Sequence, residues 1–198
     1  MTTLVSRSRG ALEPSSFSAV ETLRDGRQVE IRALRPADGD GLKTAIGRLG
    51  SASLYRRFFS PKRHFSEKEV DHFVNIDFVG HVALVAVADG VIIGGGRYIV
   101  VRPGVAEVAF AIVDEFQGKG LGAALLRCLI SLAREAGLSE LVAHVLPDNR
   151  SMLAVFEKCG LPVSTYREDG AVSVVMKLVG DSSANMLHKL NETHGNGS

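Results

Sequence analysis

A chain of 198 residues, 45% hydrophobic and 23% charged, has room for one substantial domain with its own core, and its composition excludes the disordered, fibrous and membrane classes. Its 23 Lys and Arg against 22 Asp and Glu leave a formal net charge of +1. No global field therefore draws it to nucleic acid or anionic lipid, and a polyanionic ligand has to be gripped locally. The cysteines Cys128 and Cys159 stand at no metal-ligand spacing and are too few for a disulfide framework, and the histidines form no ligand pattern, so no metal is expected. No apolar run is long enough to span a bilayer, and residues 1–19 lack the apolar centre of a secretory signal, which makes the cytoplasm the expected compartment.

Residues 1–19 and 181–198 are polar with little periodicity and are expected to be flexible tails on either side of a domain over 20–180. Asp25-Gly26 between Thr22-Leu23-Arg24 and Val29-Glu30-Ile31 signals a hairpin. A helix is predicted from Pro36 to Leu49, and a second over Ser51–Phe59, stopped by Pro61. A third opens at Ser66 with the Ser-x-x-Glu of a capping box and runs to Val74. From His81 the pattern becomes three antiparallel strands with turns at Asp89-Gly90 and Pro103-Gly104. The run Gly94-Gly95-Gly96 in the middle strand marks a bulge or a close backbone approach.

Leu121, Leu125, Leu129 and Leu132 then recur at helical spacing as far as Gly137. A strand over 140–146, a helix from Asp148 to Cys159 and two strands flanking Asp169-Gly170 follow. This order predicts an α/β (α+β) domain: a mixed, mostly antiparallel sheet flanked by helices.

Between the third of those strands and the long helix lies Gln117-Gly118-Lys119-Gly120-Leu121-Gly122. Its glycines accept positive φ without a Cβ penalty, so successive N–H groups can line one concavity at a helix start, an anion-binding arrangement to which Lys119 adds charge. The string is neither a mononucleotide P-loop nor the dinucleotide fingerprint, because neither the residue after Gly118-Lys119 nor the third glycine spacing fits. Taken alone, the glycines are more readily a structural turn than an anion site.

With the strand before it and the helix after it, this Q-x-x-G-x-G string resembles the hallmark of the GNAT superfamily of acyl-CoA N-acyltransferases. The likeness covers about residues 22–178 and extends to Asn149-Arg150-Ser151-Met152 and Glu157-Lys158-Cys159-Gly160-Leu161. Within the superfamily, IRALRPAD, SLYRRFFSP, HVALVAVADG and AEVAFAIVDEFQGKGLG are similar to the catalytic domain of bacterial Pat-type protein lysine acetyltransferases. The resemblance implies that N–H groups of Gln117, Gly118, Lys119, Gly120, Leu121 and Gly122 bind the pyrophosphate of acetyl-CoA. It implies further that backbone around Ile112 and Val113 pairs with the pantetheine arm, and that Asn149 helps to hold that arm. The acceptor it implies is a primary amine, foremost a lysine of a protein such as an acyl-CoA synthetase. A small-molecule amine acetyltransferase and a non-catalytic acyl-CoA sensor are the alternatives. Pat-type proteins often carry an extra domain, for which this length leaves no room.

Acyl transfer to an amine needs a proton acceptor, since a lysine is almost wholly ammonium at neutral pH. Alternation puts Glu107 on the strand face of Val105, Ala109, Ala111 and Val113, the only charge among small or apolar neighbours, where burial is expected to raise its pKa. Read from the residues, it is a base or merely a wet strand end; the resemblance implies the catalytic glutamate at this position. His144 is the reserve base. The position at which many GNAT enzymes carry a tyrosine acid holds Phe156. Tyr55-Arg56-Arg57-Phe58-Phe59 with Lys62-Arg63-His64 is read as an amphipathic helix that buries Leu54 and Phe58 and keeps its arginines wet, rather than as a nucleic-acid platform.

Overall fold

A computed structural model describes residues 13–58 and 66–178. The segment expected as a C-terminal tail and the basic run Lys62-Arg63-His64, with Pro61, lie outside the described residues. The chain opens with a hairpin of β1 (Ser18–Thr22) and β2 (Gln28–Ala33). Gly26, at φ 85°, makes its turn in a region that L-residues rarely enter. Three short helices follow: α1 (Gly39–Gly47), α2 (Ser51–Phe58) and α3 (Glu67–Val74). The capping box read from the sequence is in place, with Ser66 Oγ accepting from Glu69 N at 3.3 Å and Glu69 Oε2 accepting from Ser66 N at 2.9 Å.

The antiparallel strands β3 (His81–Ala88), β4 (Val91–Arg102) and β5 (Val105–Ile112) come next, then α4 (Leu121–Glu135), β6 (Glu140–Val145), α5 (Arg150–Glu157), β7 (Val163–Glu168) and β8 (Ala171–Lys177). They form an eight-stranded sheet in the order β1-β2-β3-β4-β5-β6-β8-β7. Every neighbouring pair is antiparallel except β5 and β6. α4 lays its apolar stripe on this sheet, burying Leu121, Leu125, Leu129 and Leu132 in one cluster with Tyr98, Leu141 and Met176. At roughly 1.5–3 kcal/mol for each fully buried large apolar side chain, this face fixes where the start of α4 must stand.

Both alternatives for the triple glycine are realised. The pairing of β3 with β4 shifts between Ala86↔Gly94 and Val87↔Ile92, which leaves Ile93 as the extra residue of a bulge. A Cβ on Gly94 would stand 2.9 Å from Ala111 O, and one on Gly95 2.7 Å from Leu84 O, so the neighbouring strands come too close for side chains.

The expectation of a tail up to residue 19 needs correction. A 3-10 turn forms at Pro14–Ser16, Phe17 and Ala19 are buried, and Phe17 O accepts from Ala33 N at 2.9 Å. β1 inserts only one small apolar residue, Ala19, into the core, too faint an alternation to stand out in a Ser- and Thr-rich stretch.

Candidate active site

The parallel pair β5 and β6 is short. Val105, Ala106 and Glu107 pair with Glu140, Leu141 and Val142, and beyond Glu107 the strands separate while β6 continues its ladder with β8 through Val145. A cavity of about 670 Å³ opens in the gap, lined by Val108, Ala109, Phe110 and Ile112 from β5, and by Ala143, His144 and Val145 from β6. Backbone edges of both strands thus border a space of the size that holds a small organic ligand. Gly118, Gly120, Leu121 and Gly122 line its other end.

In that loop Gly118 and Gly120 have φ of 71° and 92°, whereas Gly122 is helical. The need at residue 122 is for closeness instead: a Cβ there would meet Ile112 Cδ1 at 3.4 Å and Val155 Cγ2 at 3.9 Å. The N–H groups of residues 118–122 have no hydrogen-bond acceptor among the described residues, and they gather where the α4 dipole is positive. Gln117 departs from expectation, because its N–H donates to Asp114 O at 3.1 Å and is not part of the cradle. Its side chain is a brace: Nε2 lies 3.0 Å from each of Ser53 Oγ, Ile112 O and Asp114 Oδ1.

Ile112 lines the cavity, but Val113 is buried and its N–H donates to Ile93 O on β4 at 3.0 Å. The cavity-lining residues of β5 are therefore Glu107, Val108, Ala109, Phe110 and Ile112, and the expected pairing segment stops short of Val113. Lys119 likewise does not aim at the cradle. Its Nζ lies 3.3 Å from Asp25 Oδ2 and 5.5 Å from the centroid of the Phe116 ring. The cavity wall here carries Arg24 instead, delivered by the β1–β2 turn, which sequence reasoning had assigned only to the hairpin.

Glu107 sits where β5 and β6 begin to part. It lines the cavity and is exposed, so the burial expected from strand alternation is absent: alternation fixes the face and says nothing of depth. Arg57 of α2 lies within electrostatic reach of it. The Arg57 guanidinium is held below its usual pKa by burial, with the Glu107 charge opposing, so this arginine is not the wet residue expected. Arg56 pairs with Asp148 at 2.9 Å, Leu54 is buried as expected, and the side chain of Phe58 lies outside the described residues.

His144 lines the cavity, its Nδ1 3.0 Å from the Oγ of buried Ser173. Phe156 is buried with its ring centroid 6.0 Å from that of Phe110, offering packing and no hydroxyl. Asn149 caps α5: its Oδ1 accepts from Met152 N at 3.3 Å and from Ser151 Oγ at 3.0 Å, and no partner among the described residues takes its amide N–H₂ at the cavity wall. Cys128 is buried with its thiol pushed up to about 12, which excludes it as a nucleophile.

A splayed parallel strand pair with a glycine-rich helix start at its mouth defines an acyl-CoA-type N-acetyltransferase fold. The model of the acetyltransferase (GNAT) family matches residues 50–161, and the chain belongs to that family, a class of enzyme that takes its acetyl group from acetyl-CoA. Acetyltransferase PA5475 of Pseudomonas aeruginosa is 35% identical over 159 residues, covering 75% of this chain and 86% of that protein. Acetyltransferase Pat of Mycolicibacterium smegmatis is 31% identical over 144 residues; these are 70% of this chain but 42% of Pat, so the chain spans less than half of that relative. Among solved structures, the GNAT domain of S. lividans PAT superposes with a TM-score of 0.76 at 34% identity, over 81% of this chain and 96% of that one. No helix among the described residues is long and apolar enough to cross a membrane.

Proposed function

We propose that this acetyltransferase modifies a lysine side chain of a protein, with Glu107 as general base. The observation that carries the reading is the position of Glu107, an exposed carboxylate where β5 and β6 part, in the same cavity as the glycine loop. A nucleotide diphosphate on the N–H groups of 118–122 would direct its thioester arm along 108–112 toward this carboxylate, with the Asn149 amide as a donor on the opposite wall. The likeness to Pat-type enzymes over most of the chain favours a protein acceptor.

In the reaction, the amine nitrogen bonds to the thioester carbonyl carbon, the carbon–sulfur bond breaks, and the amine proton passes to Glu107 directly or through one water. The sulfur departs as thiolate, which an ordinary thiol pKa near 8.5 permits, and Phe156 in its apolar contact leaves no tyrosine acid at that place.

The test is thiol release from acetyl-CoA in the presence of lysine-bearing proteins, an acyl-CoA synthetase among them, and of a panel of small amines, followed by mass spectrometry of the products. Acetyl-lysine in a protein at a rate well above that of any amine supports the reading. Turnover with small amines alone refutes the protein acceptor, and coenzyme binding without thiol release from any acceptor refutes catalysis.

A further inference from the structure

Four cations stand near the glycine loop, and the β1–β2 hairpin treats them differently. Asp25 of its turn takes up Lys119 at 3.3 Å and Arg27 at 2.6 Å, and these contacts hold the Asp25 carboxyl down to about 2, Arg27 foremost. Glu21 of β1 takes up Arg127 of α4 at 2.9 Å. Arg24, between these two acids in sequence, has no ion pair and no side-chain hydrogen bond among the described residues. Its backbone is nonetheless tied to the loop, with Arg24 N donating to Lys119 O at 3.0 Å. Its side chain lies across Gly120: Cγ and Nε are 3.5 and 3.6 Å from the point where a Cβ on Gly120 would stand.

We propose that Arg24 supplies the full positive charge that binds a phosphate of the nucleotide cosubstrate, the role that spacing suggests for Lys119. The inference rests on the reading that the 118–122 amides cradle that nucleotide. An arginine is suited to the task, because its planar fork meets two phosphate oxygens at once, while the paired Lys119 would first have to leave Asp25. The hairpin thereby acts as a clasp on the loop, pairing its two acids with Lys119, Arg27 and Arg127 and presenting Arg24. Acetyl-CoA offers two anionic sources, the pyrophosphate and the 3′-phosphate of the ribose.

The experiment is isothermal titration of parent, Arg24→Gln and Arg24→Lys with acetyl-CoA and with 3′-dephospho-acetyl-CoA, together with steady-state rates on S-acetyl-pantetheine, which has neither anion. Arg24 is exposed, so the variants are expected to fold, and their melting temperatures check this. Losing a charge-assisted contact should raise the acetyl-CoA Kd of Arg24→Gln by roughly 10- to 100-fold. Arg24→Lys should recover part of that loss, and the acetyl-pantetheine rate should stay at the parent value. A loss shared by both nucleotides assigns the contact to the pyrophosphate; a loss confined to acetyl-CoA assigns it to the 3′-phosphate. An Arg24→Gln Kd within twofold of the parent's, or an equal loss with acetyl-pantetheine, overturns the proposal while leaving the cradle intact. Failure of the parent itself to bind acetyl-CoA overturns the cradle and this inference together.

Discussion

Replacing Gly120 separates the two demands that the glycine loop places on its sequence. At φ 92° an alanine is strained by ~1–2 kcal/mol, and its methyl would add only an ordinary contact, 3.5 Å from Arg24 Cγ. For a protein of this size each kcal/mol lowers the melting temperature by about 2–4 °C, so Gly120→Ala should melt roughly 2–8 °C below the parent. Gly120→Glu carries the same strain and adds a carboxylate. With a unit charge at about 4 Å and an effective dielectric near 20, it repels a phosphate by roughly 4 kcal/mol, about a thousandfold in Kd. The assay is thermal unfolding with acetyl-CoA titrated to 100 times the parent Kd. Binding there stabilises the parent by about 2.7 kcal/mol, a rise of roughly 5–10 °C, and a Kd a thousandfold weaker leaves essentially no rise. A folded Gly120→Glu protein with the full parental shift would refute the assignment of the anion to this loop.

Glu107→Gln should keep the acetyl-CoA Kd within twofold by calorimetry while kcat near neutral pH drops by roughly 10²–10⁴; a parental kcat would move the proton to His144 or to solvent, a transfer that His144→Ala would then expose. Gly95→Ala puts a methyl 2.7 Å from the Leu84 carbonyl, a backbone atom that cannot step aside, and should cost ~1–3 kcal/mol in urea unfolding; parental stability would contradict the packing described for β3 and β4. Burial, reinforced by Arg97 with Nη1 3.2 Å away and opposed by Asp77, holds the half-buried His81 down to about 4 from 6.5. The folded value lies below the unfolded one, so neutral His81 stabilises the fold above pH 6.5, and this contribution is lost as pH falls from 6.5 to 4. The shift corresponds to about 3 kcal/mol without screening and roughly 1 kcal/mol once the solvent-facing part of the ring is discounted. Urea midpoints of the parent should therefore decline over that window more steeply than those of His81→Gln, and identical slopes would exclude His81 as the source.

What could be read from the sequence is what the chain encodes locally. Asp25-Gly26, the Ser66–Glu69 capping box, the stripe Leu121, Leu125, Leu129 and Leu132, and the glycines at 118 and 120 each act within a few residues of themselves, and each appears where its chemistry required. Faces were legible too: Glu107 is on a strand, at the edge of the cavity that the fold builds. Depth was not, because whether a strand residue is covered depends on the next strand over, and β6 leaves β5 directly after Glu107.

The assignment of charges failed for the same reason, and the failure shows how the site is organised. From sequence, Lys119 inside the glycine string is the obvious partner of an anion, and Arg24 belongs to a hairpin 95 positions earlier, a separation (119 − 24) that no local pattern bridges. Folding brings the turn of that hairpin onto the loop through Arg24 N and Lys119 O, and the acids flanking Arg24 then draw Lys119 and Arg127 away. The formal +1 of the whole chain conceals this redistribution, since the balance that decides anion binding is struck among six side chains, Glu21, Arg24, Asp25, Arg27, Lys119 and Arg127. A double replacement makes the point experimentally: Asp25→Asn should free Lys119 toward the loop and restore part of the acetyl-CoA affinity lost in Arg24→Gln, whereas an unchanged Kd in the double variant would mean that Lys119 cannot reach the anion even when released.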